Sequence, residues 1–251
     1  MPMQRDKIFG INPVIEALKS GRPIQRLLIA EQRKTDRGIS EIIRLAKSAG
    51  TEIRMTTRDA LNREAAHAAH QGVIALAAAR EYVTLEDILR IPSQRGQLPL
   101  YLVLDGVEDP RNLGAILRTA EAAGVHGVII PERRAVGLTD TVAKAAAGAL
   151  EYVPVVKVVN IVNTLDELKK TGIWVAAAEA GGDMQYWAAD FVRPTALVLG
   201  GEDKGVRRLV REHSDYTLSL PLMGKISSLN VSVAAGVLLY EVLRQRRESQ
   251  S

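Results

Sequence analysis

The stretch LSLPLMGKISSLNVSVAAG, residues 218–236, decides the predicted fold. It begins like a short buried strand, passes through Gly224 and Lys225 into two serines, and continues as an apolar helical run. Polar side chains at a strand-to-helix turn can point to one place, and α/β proteins usually bind ligands at such turns. The stretch therefore predicts a binding site as well as the last strand of a sheet.

Strand and helix patterns alternate regularly through the part of the chain that contains this stretch. Continuous apolar runs such as YLVLD, residues 101–105, are typical of strands that are covered on both faces. Further strands are predicted at residues 128–130, 153–158, 174–178, 196–199 and 216–220, and helices at residues 112–123, 139–149, 165–170, 207–212 and 229–246. This order predicts an α/β domain with a mostly parallel, doubly wound sheet and helices on both faces.

A smaller α/β pattern precedes this domain. Asn12, Thr57 and Thr84 are candidate helix caps. Strands are predicted at residues 26–30, 52–55 and 73–77, with a helix at residues 39–50 between the first two. The loop IPSQRGQLP then interrupts the pattern. We therefore expect an N-terminal domain at residues 1–79, a linker at residues 80–99 and a C-terminal domain at residues 100–251.

The charge distribution favours a polyanionic partner for the front half of the chain. Lys and Arg outnumber Asp and Glu by 16 to 11 in residues 1–99, whereas the counts are 17 and 18 in the rest. A basic front half is typical of proteins that bind RNA or DNA, and a merely basic surface is the alternative. The chain has no cysteine, which excludes disulfides and thiolate metal sites. No apolar run approaches the roughly 18 residues of a membrane span, and the first residues lack the apolar core of a signal peptide, so we expect a cytoplasmic protein.

Several common site motifs can be tested against the sequence. His67 and His70 lie three residues apart, but no other histidine or cysteine is nearby to complete a zinc site, so RNA contact or loop packing is the better interpretation. The C-terminal domain has no GxGxxG after its first strand, no Walker phosphate loop and no GxSxG elbow, which argues against nicotinamide oxidoreductases, kinases and hydrolases. Cationic side chains beside predicted loops could contact phosphates or form a solvated face, and these are Arg22, Arg33, Lys34 and Arg37.

Three stretches place polar groups where predicted strands end. DPRNLGAILR holds Asn112 and Arg118, VLGGEDKG holds Glu202, and the opening stretch holds Ser228 and Asn230. The carboxyl ends of parallel strands meet at one edge of a sheet, so these groups are expected near a common ligand site.

At these three stretches the chain resembles the SpoU/TrmH family of RNA 2′-O-ribose methyltransferases. The resemblance runs in the same order through residues 100–246, although Asp203 and Lys204 differ from what members commonly carry. The N-terminal motifs IFGINPVIEAL and HQGVIA resemble the ribosomal-protein-like substrate-binding domain that some members carry. With both domains, the likeness is nearly full-length to the branch that methylates a guanosine in 23S rRNA.

The resemblance implies S-adenosylmethionine as the cofactor, a homodimer, a trefoil knot of the SPOUT type in the C-terminal domain, and no metal. It places the cofactor contacts at Gly200, Leu220 and Leu229. Without the resemblance, these residues would be interpreted as a tight turn and two core leucines.

The resemblance also implies roles for the polar residues. Arg118 would act at the ribose 2′-hydroxyl, with Asn112 and Asn230 positioning it or its neighbours. Glu202 would orient the arginine or the RNA, and Ser228 would contact a phosphate or shape the cofactor loop. Because the pKa of arginine exceeds ~12, Arg118 is better suited to stabilise a developing alkoxide than to act as a base. The structural alternatives are helix caps at Asn112 and Ser228, and a surface ion pair of Arg118 with Glu121 or Glu202.

Together these features predict an enzyme that transfers a methyl group to a guanosine 2′-hydroxyl in 23S rRNA, with the N-terminal domain finding the RNA. A tRNA ribose 2′-O-methyltransferase and a non-catalytic RNA-binding protein of the same fold are the alternatives.

Overall fold

The computed structural model describes residues 5–33, 36–66, 69–202 and 205–250. In chain order the strands are β1 Arg5–Phe9, β2 Ile24–Ala30, β3 Glu52–Thr56, β4 Val73–Ala78, β5 Leu100–Asp105, β6 Gly127–Pro131, β7 Val155–Val158, β8 Trp174–Ala178, β9 Met184–Gln185, β10 Thr195–Gly200 and β11 Tyr216–Ser219. The α-helices are α1 Ile11–Lys19, α2 Arg37–Ser48, α3 Arg58–Ala65, α4 Leu85–Arg95, α5 Pro110–Ala122, α6 Asp140–Ala145, α7 Ile161–Lys170, α8 Arg208–Glu212 and α9 Val231–Glu248. Lys34 and His67 lie outside the described residues.

The chain divides into two compact units. The first holds the described residues up to Glu81 together with Leu138–Tyr152, and the second holds Tyr82–Gly137 together with the described residues from Val153 onward. By sequence, residues 138–152 fall within the predicted C-terminal domain, so the compact units do not follow chain order at this stretch.

The first unit contains a four-stranded sheet in the order β1-β4-β2-β3. β4 pairs antiparallel with both β1 and β2, whereas β2 and β3 are parallel. Residues on one face of α1 and α2, including Val14, Ile39 and Ile42, are fully buried in one cluster with Leu27 and Val73 of the sheet. Burial of this apolar face accounts for the stability of helices of this length.

The second unit contains a seven-stranded sheet in the order β7-β6-β5-β10-β8-β11-β9, and every pair of neighbouring strands is parallel. The predicted α/β fold with a parallel sheet and helices is therefore confirmed. Tyr101 and Val103 pack in one core cluster with residues of α4, α7 and α8. Leu102 and Leu104 alternate with them and are also fully buried, as expected for a strand covered on both faces.

Two of the predicted helix starts are wrong by one or more residues. α1 begins after Gly10 and not at an Asn12 cap, because the side-chain Oε1 of Gln71 accepts a hydrogen bond from the Ile11 N–H at 2.9 Å. α5 begins at Pro110, since the Asp109 carboxylate accepts from the main-chain N–H groups of Arg111 and Asn112 at 2.6 and 3.0 Å. Asn112 is therefore not a helix cap.

Other helix ends agree with the sequence to different degrees. Thr57 and Thr84 are caps as predicted. α9 is capped by the Asn230 side chain, so Ser228 is not its cap. α4 continues through Pro92, which the sequence pattern placed in the linker. Pro92 has no N–H for the Ile88 carbonyl, and the hydroxyl of Tyr101 donates to that carbonyl instead, at 3.2 Å.

Residues 138–152 contribute a buried carboxylate to the first unit. The side chain of Glu151 is 4% exposed and pairs with Arg22 at 3.3 Å and with Arg80. Arg22 also pairs with Asp6 at 2.7 Å and donates to the Ala78 carbonyl at 2.6 Å. Arg22, a candidate phosphate contact by sequence, is therefore a structural residue, because its charge is already buried and paired.

Candidate active site at the carboxyl edge of the parallel sheet

A cavity of about 440 Å³ lies beyond the carboxyl ends of neighbouring strands in the second unit. β5 ends at Asp105 and β10 ends at Gly200, and these two residues are direct partners in the parallel register. Pro131, the last residue of β6, also lines the cavity. Among the polar residues that line it are Glu108, Asn112, Arg133, Arg134, Glu202 and Arg207. The position is the one expected for a ligand site in a parallel sheet.

Asn112, Glu202 and Asn230 form a closed set of hydrogen bonds. The Nδ2 groups of Asn112 and Asn230 both donate to Glu202 Oε1, at 2.5 and 2.9 Å, and Asn230 Nδ2 also donates to Asn112 Oδ1 at 3.1 Å. Asn230 Oδ1 accepts from the main chain and the hydroxyl of Ser232, at 2.9 and 2.6 Å. These residues are 90, 118 and 28 positions apart in pairs, so the fold brings together side chains that no local pattern connects. Glu202 Oε2 has no partner among the described residues.

An ion pair between a buried carboxylate and a half-exposed arginine lies beside the turn that carries Glu202. The carboxylate of Asp105 is fully buried and accepts from the Arg207 main-chain N–H at 2.9 Å and from Arg207 Nε at 2.7 Å. The pair joins the end of β5 to the start of α8, the helix that follows the turn. Sequence reasoning missed both residues. The available signal was a single aspartate at the end of an otherwise apolar strand, which predicts a buried partner without identifying it.

Glycines allow main-chain segments to pack closely beside this turn. A Cβ atom on Gly200 would lie 1.9 Å from the carbonyl carbon of Gly205, and one on Gly201 would lie 2.2 Å from the carbonyl oxygen of Gly106. The Gly201 N–H donates to the Asp105 carbonyl at 3.0 Å. Only glycine fits at these two positions, so VLGG is required by packing as well as by any ligand.

The loop between β11 and α9 leaves its main chain open. Residues 221–230 are all exposed, and the main chain of residues 221–229 has no hydrogen bond to another described residue. Leu229 is 41% exposed, so it is not a core leucine, whereas Leu220 is half-buried. Free N–H and C=O groups beside a glycine turn fit a cofactor that is held by main-chain contacts.

Two of the predicted catalytic residues lie apart from the closed set. Arg118 is six residues beyond Asn112 on α5, which places it about 120° around the helix and ~9 Å along it. It is exposed and has no hydrogen bond or ion pair with another described residue, including Glu121 and Glu202. Ser228 is exposed and has no described partner either. The structure therefore joins Asn112, Glu202 and Asn230 and leaves Arg118 and Ser228 open to other molecules.

Comparison with known proteins agrees with this architecture. The family described as the SpoU rRNA methylase family matches residues 99–240, and the family described as RNA 2′-O ribose methyltransferase substrate binding matches residues 7–83. The chain belongs to the SpoU rRNA methylase family. It is an RNA methyltransferase of the SpoU/TrmH type, and the family uses S-adenosylmethionine as its methyl donor.

Individual relatives cover nearly the whole chain. YacO of Bacillus subtilis (strain 168), assigned to the TrmH family of tRNA/rRNA methyltransferases, is 46% identical over 246 residues, which are 98% of each chain. A protein of Staphylococcus aureus (strain MSSA476) with the same assignment is 44% identical over the same length. The crystal structure of the SpoU methyltransferase AviRb from Streptomyces viridochromogenes, in complex with AdoMet, superimposes with a TM-score of 0.81 at 29% identity. That match covers 97% of this chain and 91% of AviRb.

No group of three or more His, Cys, Asp or Glu side chains within the described residues is placed to hold a metal ion. No helix in the described part of the chain is long and apolar enough to span a bilayer.

Proposed function

We propose that this methyltransferase modifies the 2′-hydroxyl of a guanosine ribose in 23S rRNA. The observation that carries the proposal is the closed set of Asn112, Glu202 and Asn230 beside the cavity at the carboxyl edge. A ribose presents vicinal hydroxyls that both donate and accept hydrogen bonds, and amide and carboxylate groups held in fixed positions suit their recognition. The nearly full-length resemblance to the 23S rRNA guanosine enzymes supports the choice of RNA.

The reaction requires orientation and the removal of one proton. S-adenosylmethionine, when bound, supplies an electrophilic methyl group on a sulfonium. In our proposal Asn112 and Asn230 orient the ribose, and Glu202 Oε2, which has no partner among the described residues, accepts a hydrogen bond from it. Arg118 is exposed and unpaired among the described residues, so it can approach the RNA and stabilise the alkoxide while the hydroxyl proton passes to an RNA phosphate. Ser228 contacts a phosphate of the RNA.

Gly200, Leu220 and Leu229 are the proposed cofactor contacts. The unbonded main chain of residues 221–229 supports this assignment, because it offers donors and acceptors for an adenosine and an amino acid group. Gly200 supports it as well, since its turn brings main-chain atoms to the sheet edge without side chains in between.

The proposal includes a cytoplasmic homodimer and a trefoil knot. Exposed apolar side chains on the β11–α9 loop and α9, including Met223, Ile226, Val233 and Tyr240, support a protein partner for this face. The close packing of Gly201 against the Gly106 carbonyl, which belongs to a distant loop of the chain, supports the knot, because threading brings the main chains of distant segments together. Residues 1–79 are the proposed RNA-binding domain and residues 80–99 the linker, in keeping with the substrate-binding family match at residues 7–83.

One experiment tests the proposal directly. The purified protein is incubated with labelled S-adenosylmethionine and either unmodified 23S rRNA or unmodified tRNA, and ribose methylation is mapped by mass spectrometry. We expect one labelled guanosine in 23S rRNA. Label only in tRNA would reject the rRNA assignment and favour the alternative that the relatives' tRNA/rRNA description leaves open. Label in neither RNA would reject the enzymatic proposal.

A further inference from the structure

A second cavity, of about 680 Å³, opens in the first unit beside the loop that joins α3 to β4. Arg33 lines it on one side, Arg58 and Asn62 of α3 on another, and His70 and Gln71 of the loop on a third. The volume lies in the range of about 300 to 1,000 Å³ that small-molecule sites occupy. Its side chains include two arginines, an asparagine and two glutamines, so the lining suits a ligand that carries negative charge and hydrogen-bonding groups.

Arg33 is held in a fixed position at this cavity. Its Nη1 donates to the Gln71 carbonyl at 2.9 Å, and its Nη2 pairs with Asp36 at 3.0 Å. Its stem packs on the main chain of Gly72, where a Cβ atom would lie 2.6 Å from Arg33 Cδ. A guanidinium has five N–H donors. Arg33 is therefore positioned in advance and retains donors for a ligand.

His70 fixes the orientation of Asn62. The His70 ring is 6% exposed, and its Nδ1 accepts from the Gly72 N–H at 3.1 Å. The proton is therefore on Nε2, which donates to Asn62 Oδ1 at 2.9 Å. Burial, and then the nearby Arg58, lower the pKa of His70, so the ring is neutral. The Asn62 NH₂ group has no described partner and remains available as a donor.

Two described residues between α3 and β4 have a main-chain conformation that few side chains adopt. Gln71 has a φ of 51° and Ala66 a φ of 42°, and both are in the left-handed region. Such residues cost of order 1 kcal/mol or more and are concentrated at binding sites. The Gln71 side chain is tied to the start of α1 through the Ile11 N–H. Gln71 is therefore held in a strained main-chain conformation where it lines the cavity.

We propose that this cavity binds one unpaired nucleotide of the RNA substrate, with its phosphate at Arg33 and Arg58 and its base against Asn62 and Gln71. The inference rests on the proposed function, because it names where the same RNA is held. Arginine side chains commonly contact phosphates. Sequence-specific RNA recognition acts on unpaired bases, whose hydrogen-bonding edges are exposed. A base in a duplex could not enter a recessed cavity of this size.

The test compares two arginines of the same helix. Arg58 lines the cavity, whereas Arg63 does not and lies five residues further along α3, about 140° around the helix. Arg58→Ala and Arg63→Ala remove the same charge from the same element, and both residues are exposed, so both variants should fold. The probe is unmodified 23S rRNA. Its Kd, KM and kcat are measured at one salt concentration, together with the Kd for S-adenosylmethionine.

We expect Arg58→Ala to raise the Kd and KM for RNA about 10-fold, as for the loss of one charge-assisted phosphate contact. The kcat and the cofactor Kd should not change, and Arg63→Ala should change all four constants less than about 2-fold. Equal effects of the two variants would overturn the inference, because RNA affinity would then depend on the net charge of the unit and not on the cavity. A fall in kcat without a change in RNA affinity would overturn it as well.

A second variant tests the part that concerns the base. The wild-type protein should bind a single-stranded oligonucleotide more tightly than the same oligonucleotide in a duplex, and Asn62→Ala should reduce that preference. An unchanged preference would overturn the base contact. The two proposals can fail separately. Binding that depends on Arg58 without methyl transfer would reject the proposed function, whereas transfer that is insensitive to Arg58 would reject the cavity.

Discussion

The two cavities hold their polar groups in different ways. At the carboxyl edge of the parallel sheet, Asn112, Glu202 and Asn230 bond one another across long separations in the chain. In the first unit, Arg33 bonds to nearby loops and His70 orients Asn62, and the guanidinium and the Asn62 NH₂ group keep donors that no described residue takes. A reacting group needs exact placement, whereas capture of a polyanion needs charge and shape. Changes at the carboxyl edge of the parallel sheet should therefore alter kcat or cofactor binding. Changes at the cavity of the first unit should alter RNA affinity.

Gly200→Ala should have the largest effect. The new Cβ would lie 1.9 Å from the Gly205 carbonyl carbon, and main chain cannot yield as a flexible side chain would. We expect a loss of about 3 kcal/mol in the unfolding free energy of the second unit and a loss of cofactor affinity of about 100-fold. Both tryptophans, Trp174 and Trp187, are in that unit, so their fluorescence in urea reports its unfolding.

The matched control is Gly224→Ala in the exposed loop after β11. No atom lies within 4 Å of a Cβ at that position, so stability should be unchanged. Wild-type cofactor affinity in Gly200→Ala would mean that the turn has no part in the site.

Arg118→Ala should lower kcat about 100-fold or more, which is the typical loss when a donor to a developing oxyanion is removed. The Kd for S-adenosylmethionine should be unchanged, because Arg118 is on α5 and is not part of the open loop after β11. Arg208→Ala is the control, since Arg208 is an exposed arginine of the same unit that pairs with Glu212. Near-normal turnover by Arg118→Ala would show that another group stabilises the alkoxide.

Glu202→Ala should lower kcat about 30-fold, because the Nδ2 groups of Asn112 and Asn230 lose their shared acceptor, at about 1 kcal/mol for each bond. Glu202→Gln retains an oxygen acceptor and should lose about 3-fold. The KM for RNA should change less than about 2-fold in either variant. A change in KM alone would contradict the distinction between the two cavities. It would mean that Asn112, Glu202 and Asn230 bind the RNA and do not position the reacting group.

Much of the fold was predictable because local patterns determine it. All six residues of LYLVLD are buried, and five consecutive apolar residues before a turn are typical of a strand that is covered on both faces. Thr84 begins α4 through a capping box that its own neighbours complete. By contrast β1, RDKIF, has three charged residues in five and no alternation that marks a strand. It forms because β4, about 70 residues further on, offers an open edge.

The site was predictable only in part, for the same reason. Motif resemblance identified Asn112, Glu202 and Asn230, and the structure brings these three together. Asp105 and Arg207 are 102 positions apart, and neither has a local pattern that indicates the other. The length of α4 was also missed, because the group that satisfies the Ile88 carbonyl in front of Pro92 is the distant hydroxyl of Tyr101.

Each unit contains a buried histidine with the same arrangement of hydrogen bonds. Titration of one of these histidines should give the smallest of the expected effects. Each buries a histidine whose Nδ1 accepts a main-chain N–H, from Gly72 for His70 and from Leu100 for His126. In each, Nε2 meets a side-chain amide oxygen, from Asn62 or from Gln97. Burial, and then Arg95, lower the pKa of His126 to about 4.

The neutral ring is therefore favoured in the folded state, whereas an unfolded histidine binds a proton near pH 6.5. Stability from His126 is fully present above that pH and is lost as the pH falls from about 6.5 towards 4. After allowance for solvent screening, the loss between pH 7 and pH 5 should be about 1 to 2 kcal/mol.

His126→Asn retains an oxygen acceptor for the Leu100 N–H but cannot titrate. Between pH 7 and pH 5 this variant should lose less than half as much unfolding free energy as the wild type. Urea unfolding followed by tryptophan fluorescence measures the loss. His70→Asn lies in the other unit and should leave this transition with the wild-type pH dependence. Equal pH dependence in wild type and His126→Asn would assign the acid sensitivity of the second unit to its carboxylates instead.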